Sequence, residues 1–116
     1  MYGKINVPYV IHAVGPCYFD FKYDQYEDAD KLLKAAYQDS LRRSEEAGLE
    51  AIAFCLISAG VFSGRRDLND IVRIGLEAIC QFDEYTKLND VYLFGYSRAD
   101  LVALQNAVID LDLDIE

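Results

Sequence analysis

A chain of 116 residues is long enough for one domain and too short for two. Its apolar content of 53% supports a buried core and excludes a disordered chain, which combines few apolar residues with high net charge. The 20 acidic against 11 basic residues, a net charge of −9, exclude a broad nucleic-acid surface, which needs clustered Lys and Arg; one small anion held by backbone N–H groups stays compatible with that charge.

No apolar run is long enough to cross a bilayer without interruption by charge. The opening MYGKINVPYV lacks the architecture of a signal peptide. The expectation is a soluble cytoplasmic or nuclear protein with neither a membrane nor a nucleic-acid partner. Cys17, Cys55 and Cys80 are odd in number and show no CxxC or Cys/His spacing. They therefore suggest neither a metal site nor a disulfide framework. Cys55 and Cys80 sit in apolar runs and read as small core residues.

In chain order, Val7 to Val14 (VPYVIHAV) is apolar and β-branched and predicts a strand, with Pro8 at its start, where a missing donor is tolerated. The aromatic tract Cys17 to Tyr26 (CYFDFKYDQY) is expected to cover a sheet edge, with covering the site or binding a partner as further readings. Asp28 to Ala47 predicts a helix with Leu32, Leu33, Ala36, Tyr37 and Leu41 on one stripe and Gly48 past its end. Ala51 to Ile57 (AIAFCLI) predicts a second strand. Leu68 to Phe82 predicts a helix capped by Asp67, with Ile71, Val72, Gly75, Leu76 and Ile79 on its apolar side.

Val91 to Tyr96 (VYLFGY) predicts a third strand. Ser97 to Val108 predicts a third helix, opened by the capping pair Ser97 and Asp100, with Leu101, Leu104 and Val108 facing inward. The tail from Asp110 to Glu116 (DLDLDIE) reads as a frayed acidic end. The order β-α-β-α-β-α with continuous apolar strands predicts a mainly parallel sheet buried on both faces. The whole of residues 1–116 reads as one domain.

The turn after the second strand carries the chemistry. Ligands of open α/β sheets bind beyond the carboxyl ends of the strands, and Ser58-Ala59-Gly60-Val61-Phe62-Ser63-Gly64 lies there. The next helix presents unpaired N–H groups and about +0.5 elementary charge at its start. Gly60 and Gly64 permit positive φ and close backbone approach. Together these can seat a phosphate. The same small residues also serve tight βα packing, so pattern alone leaves both readings open. The turn is neither a Walker A loop nor GxGxxG. Arg65 and Arg66 either add charge to the seat or stand in solvent.

Two stretches resemble the macro domain family. Tyr9 to Pro16 (YVIHAVGP) is similar to its "(V/I)IHAVGP" signature, and Ile52 to Phe62 (IAFCLISAGVF) to its "IAFPxIS(T/A)G(V/I)(F/Y)" strand and second phosphate loop. Leu33 to Ala47 resembles the helix between them, and VYLFGY the last strand. The resemblance covers about residues 8 to 110. It implies a three-layer α/β/α fold that binds ADP-ribose or an ADP-ribosylated protein, with no cofactor. It assigns Ser58, Ala59, Gly60, Val61 and Phe62 to the loop around the pyrophosphate and distal ribose. Gly64 completes that loop, and Tyr96 stands at an aromatic position beside the adenine. Some members of the family hydrolyse ADP-ribose from its carriers.

The sequence departs from the family in two places. Ser63-Gly64-Arg65 replaces the usual Gly-aromatic-Pro continuation. The family's first half has no counterpart here: its opening strands, its adenine-contacting acid, its "NAAN"-like segment and its first phosphate loop. No catalytic residue can therefore be assigned. Hydrolysis would need a longer parent chain, ligand binding should be weakened, and a domain degenerated into a protein-interaction module is a further reading. Exposed sheet edges should also favour self-association. His12 reads as a hydrogen-bonded core or near-site histidine rather than a base paired with Cys17, and Asp67 and Asp70 as helix caps.

Overall fold

The computed structural model describes residues 9–113. Within them the elements alternate as helix α1 (Tyr26–Glu46), strand β1 (Ala51–Cys55), helix α2 (Leu68–Gln81), strand β2 (Asp90–Phe94) and helix α3 (Arg98–Asp110). Two short 3₁₀ turns, Tyr18–Asp20 and Tyr23–Gln25, lead into α1, and a third, Val61–Ser63, lies between β1 and α2. The strands pair in parallel, with Ala51 opposite Asp90 and Cys55 opposite Phe94.

The helix boundaries follow from local chemistry. Gly48 ends α1 at φ +73°, a conformation glycine adopts without a Cβ penalty. The Asp67 carboxylate accepts the Asn69 N–H at 2.9 Å and starts α2. Ser97 and Asp100 form a reciprocal capping box at α3. Each such cap contributes about 1 kcal/mol.

The core joins one face of the sheet to α1 and α2. Phe54 is buried with Leu33, Tyr37, Leu41, Ile71 and Ala78, and Ile52, Val91 and Leu93 pack against that cluster. Gly75 admits the Tyr37 ring, which lies 2.7 Å from where a Cβ would stand. Helix α3 docks on α2 through Ala103 and Ala107 against Val72. The buried stripe of α3 is thus made of alanines with Leu104 beside them, while Leu101 is 52% exposed. Small side chains win that contact because they let two helices approach closely.

Three expectations are corrected. Residues 9–14 form no strand; Val7 and Pro8 of the expected strand lie outside the described residues. A strand needs a neighbour for its ladder, and no backbone group of 9–14 finds one among the described residues. The two strands that do form are covered on one face only. Ala53, Cys55, Tyr92 and Phe94 on the other face are exposed, so burial alternates where continuous burial was expected. Cys55 and Cys80 are consequently surface thiols, the first on the bare sheet face and the second on the solvent side of α2.

Candidate functional site

The loops after β1 and β2 leave the sheet at the same end, because the strands are parallel and in register. Their roots are separated by one strand spacing, about 4.8 Å. The first loop holds Ser58 to Gly64 and the second holds Tyr96, so all the expected ligand residues stand along one rim.

The β1 loop is held at three points. The Ile57 N–H donates to the Tyr37 hydroxyl at 2.9 Å, and burial pushes that hydroxyl's pKa up to about 12. The Ser58 hydroxyl is buried and donates to the Pro16 carbonyl at 2.7 Å. Ser58 itself sits at φ +62°, a left-handed conformation that residues other than glycine rarely adopt. Gly15 lies flush against this point: a Cβ there would stand 2.4 Å from both Ile57 Cγ2 and Ser58 Oγ. The Gly-Pro of the YVIHAVGP stretch is therefore a backing plate for the loop. At the far end Gly64, at φ +55°, presses on backbone, with its Cβ position 2.9 Å from Phe19 N and 3.1 Å from Tyr18 C.

A polar cluster fixes the segment between the loop and α2. Arg66 reaches Asp30 at 2.8 Å and Asp70 at 2.7 Å, and its guanidinium lies over the Tyr26 ring. Tyr18 donates to Asp30 at 2.6 Å; burial, and then that carboxylate, push the phenol's pKa far up. The aromatic tract thus braces the loop rather than covering a sheet edge. Arg66 is fully engaged, whereas Arg65 is exposed and forms no ion pair among the described residues. Asp67 caps α2 as expected, and Asp70 is an ion-pair partner of Arg66 and Arg73. His12 is exposed and makes no hydrogen bond among the described residues, which replaces its expected core role.

Between these anchors the backbone is free. The N–H groups of Ser58, Ala59, Gly60, Val61 and Phe62 find no acceptor among the described residues; the next bonds along the chain run from Ser63 N to Gly60 O and from Gly64 N to Val61 O. Val61 is 82% exposed, Phe62 47% and Tyr96 101%. The Tyr96 backbone N–H is tied to Asp100 at 2.9 Å, so its ring projects from a fixed root. A run of donors flanked by two aromatic rings can hold an anion and stack a planar group.

The rim is open. A cleft of about 450 Å³ lies beside it between the starts of α2 and α3, lined by Leu68, Asn69, Arg98, Ala99, Val102 and Ala103. None of the expected ligand residues lines it. The braces at Tyr18, Asp30, Tyr37 and Arg66 were missed in the sequence. Only the Arg66–Asp70 spacing of four residues gave a signal for any of them.

The macro domain sequence profile matches residues 2–69. An uncharacterized protein of Pyrococcus abyssi is 39% identical over 99 residues, covering 84% of this chain and 51% of that protein. A macro domain-containing protein of Caldanaerobacter subterraneus is 30% identical over 110 residues, covering 95% of this chain and 59% of that protein. Among solved structures, the Oceanobacillus iheyensis macrodomain with ADP superposes at a TM-score of 0.70 and 27% identity, over 85% of this chain and 49% of that one. A glycine-to-valine variant of it with ADPR matches at a TM-score of 0.70 and 25% identity. The chain spans about half the length of the first of these relatives. The match to the profile, over more than half of the residues, is the firmest of these findings: the chain belongs to the macro domain family.

Proposed function

We propose that this chain binds ADP-ribose, free or carried on a protein, through the backbone of Ser58 to Gly64, with Phe62 against the distal ribose and Tyr96 against the adenine. The observation that carries the reading is the run of five N–H groups, Ser58 to Phe62, without an acceptor at the carboxyl end of β1. Each would donate to a pyrophosphate oxygen without a lysine or arginine being required, which suits a chain of net charge −9. The solved relatives with ADP and ADPR support the ligand class. The Ser58 side chain contributes by shape alone, since its hydroxyl is committed to Pro16.

Affinity is modest in this reading, because the rim walls the ligand on one side only. Calorimetry with ADP-ribose on the native chain and on Gly60→Glu tests it. No atom lies within 4 Å of a Cβ at Gly60, so the glutamate folds into place and sets a carboxylate where the phosphate would sit. Heat from the native chain that the variant abolishes is the expected result. Equal heats from both, or none from the native chain up to millimolar ligand, would defeat the proposal.

A further inference from the structure

The Asp30 carboxylate, on α1, is shared by two segments far apart in the chain. Its Oδ1 accepts from the Tyr18 hydroxyl at 2.6 Å and from Arg66 Nε at 3.3 Å, and its Oδ2 accepts from Arg66 Nη2 at 2.8 Å. Both segments bear on the end of the β1 loop. The Tyr18 carbonyl carbon stands 3.1 Å from where a Gly64 Cβ would be, and the Arg66 N–H donates to Ser63 O at 2.9 Å. The Arg66 and Asp30 side chains are 19% and 24% exposed, against 43% and 68% for Arg42 and Asp39. Solvent and salt screen the exposed pair, which holds little in place, and screen the Asp30 pair less.

We infer that Asp30 is a positioning residue for the run of N–H groups from Ser58 to Phe62. Acting through Tyr18 and Arg66, it fixes the far end of the loop, while Tyr37 and Pro16 fix the near end. The inference rests on the ADP-ribose reading of that loop. Donors hold an anion tightly when they are already aimed, because ordering them at the moment of binding subtracts from affinity. None of the five N–H groups has an acceptor among the described residues to aim it, so the aim comes from the two ends. Asp30 and Asp70 also neutralise Arg66, which leaves the backbone to attract the phosphate. Making Asp30 neutral therefore has two effects of opposite sign: a loosened loop weakens binding, and a released guanidinium strengthens it. The first is the larger, because Asp70 still lies 2.7 Å from Arg66.

The test compares the native chain with Asp30→Asn, Tyr18→Phe and Arg42→Gln. Each is titrated with ADP-ribose by calorimetry, and its amide spectrum is recorded without ligand, both well below its melting transition so that unfolding does not enter. Asp30→Asn should keep the helical circular dichroism and bind roughly tenfold more weakly, as when a group that orients a ligating one is lost. Its Ser58–Phe62 amide resonances should broaden before ligand is added, the mark of a loop exchanging between conformations. Tyr18→Phe should move both readouts in the same direction by less, since Arg66 keeps its hold on Asp30. Arg42→Gln, which removes exposed ion pairs at the other end of α1, should change neither. Native affinity in Asp30→Asn, or sharp and unmoved Ser58–Phe62 amides, would overturn the inference. Tighter binding would overturn it too, and would make Arg66 a masked ligand. If Asp30→Asn does not fold, native affinity and sharp amides in Tyr18→Phe would overturn it instead. Absence of heat from the native chain would defeat the ligand reading, and the ligand-free amide spectra would still decide whether Asp30 positions the loop.

Discussion

Gly64→Ala separates a loop braced against the preceding segment from one that merely turns. Gly64 has φ +55° and ψ −123°, and a Cβ there would lie 2.9 Å from Phe19 N and 3.1 Å from Tyr18 C. Both neighbours are backbone, so no rotamer change relieves the overlap. A non-glycine residue in such a conformation costs about 1–3 kcal/mol, and pushing packed structure aside costs about 1–3 kcal/mol more. The expected loss is roughly 2–6 kcal/mol, a large share of the ~5–15 kcal/mol that holds a domain together. At roughly 4 °C per kcal/mol this lowers Tm by about 8–24 °C. Gly60→Ala is the comparison: nothing lies within 4 Å of a Cβ there, so it carries no overlap with packed backbone and should be the less costly of the two by about 1–3 kcal/mol. Chemical denaturation of the three proteins reads the difference. Equal midpoints for the two variants would show that Gly64 is not seated on the Tyr18–Phe19 backbone.

The other braces give further tests. Tyr37→Phe keeps the ring but leaves the Ile57 N–H without its acceptor, and urea denaturation should show a loss of about 1–3 kcal/mol. Ser58→Ala strands the Pro16 carbonyl at a similar cost; Ser58→Gly loses the same bond but relieves the positive φ, so it should be the more stable of the two. The Glu45 carboxylate accepts from Lys87 N at 2.9 Å, from the Thr86 hydroxyl at 2.7 Å and from the N–H groups of Thr86 and Leu88. The Lys87 bond first, then the Thr86 hydroxyl, hold its pKa down to about 2 from an ordinary 4.5. A carboxylate so depressed stabilises the fold above about pH 4.5 and loses that contribution as pH falls towards 2. Denaturation midpoints followed over that window should fall in the native chain and flatten in Glu45→Gln; parallel curves would contradict the assignment.

Local pattern made the helices legible. Asp67, Ser97 and Gly48 announce their own boundaries, because a cap acts within three residues of the turn it satisfies. The βα turn at Ser58–Gly64 was legible for the same reason, whereas Arg66 with Asp70 was not read as a pair, although the two stand four residues apart. What local pattern could not show were pairings across the chain. Tyr37 meets Ile57 twenty residues away, Arg66 meets Asp30, and Glu45 clasps Thr86 to Leu88. Residues 9–14 have the composition of a strand, but a strand is made by its neighbour, and none of the described residues supplies one. The same lack turns Cys55 outward. Continuous apolar sequence registers that β1 is suited to burial on both faces, but not whether both are covered.

The claim that the β1 loop receives a phosphate from its backbone is tested most directly by an amide-resolved NMR titration with ADP-ribose. Saturable shifts are expected at the N–H groups of Ser58, Ala59, Gly60, Val61 and Phe62, with a smaller ring-dependent shift at Tyr96 and no change in either set for Gly60→Glu. Shifts confined to the cleft residues Leu68, Asn69 and Arg98 or to the acidic end at residues 110–113, with the Ser58–Phe62 amides unmoved, would contradict it.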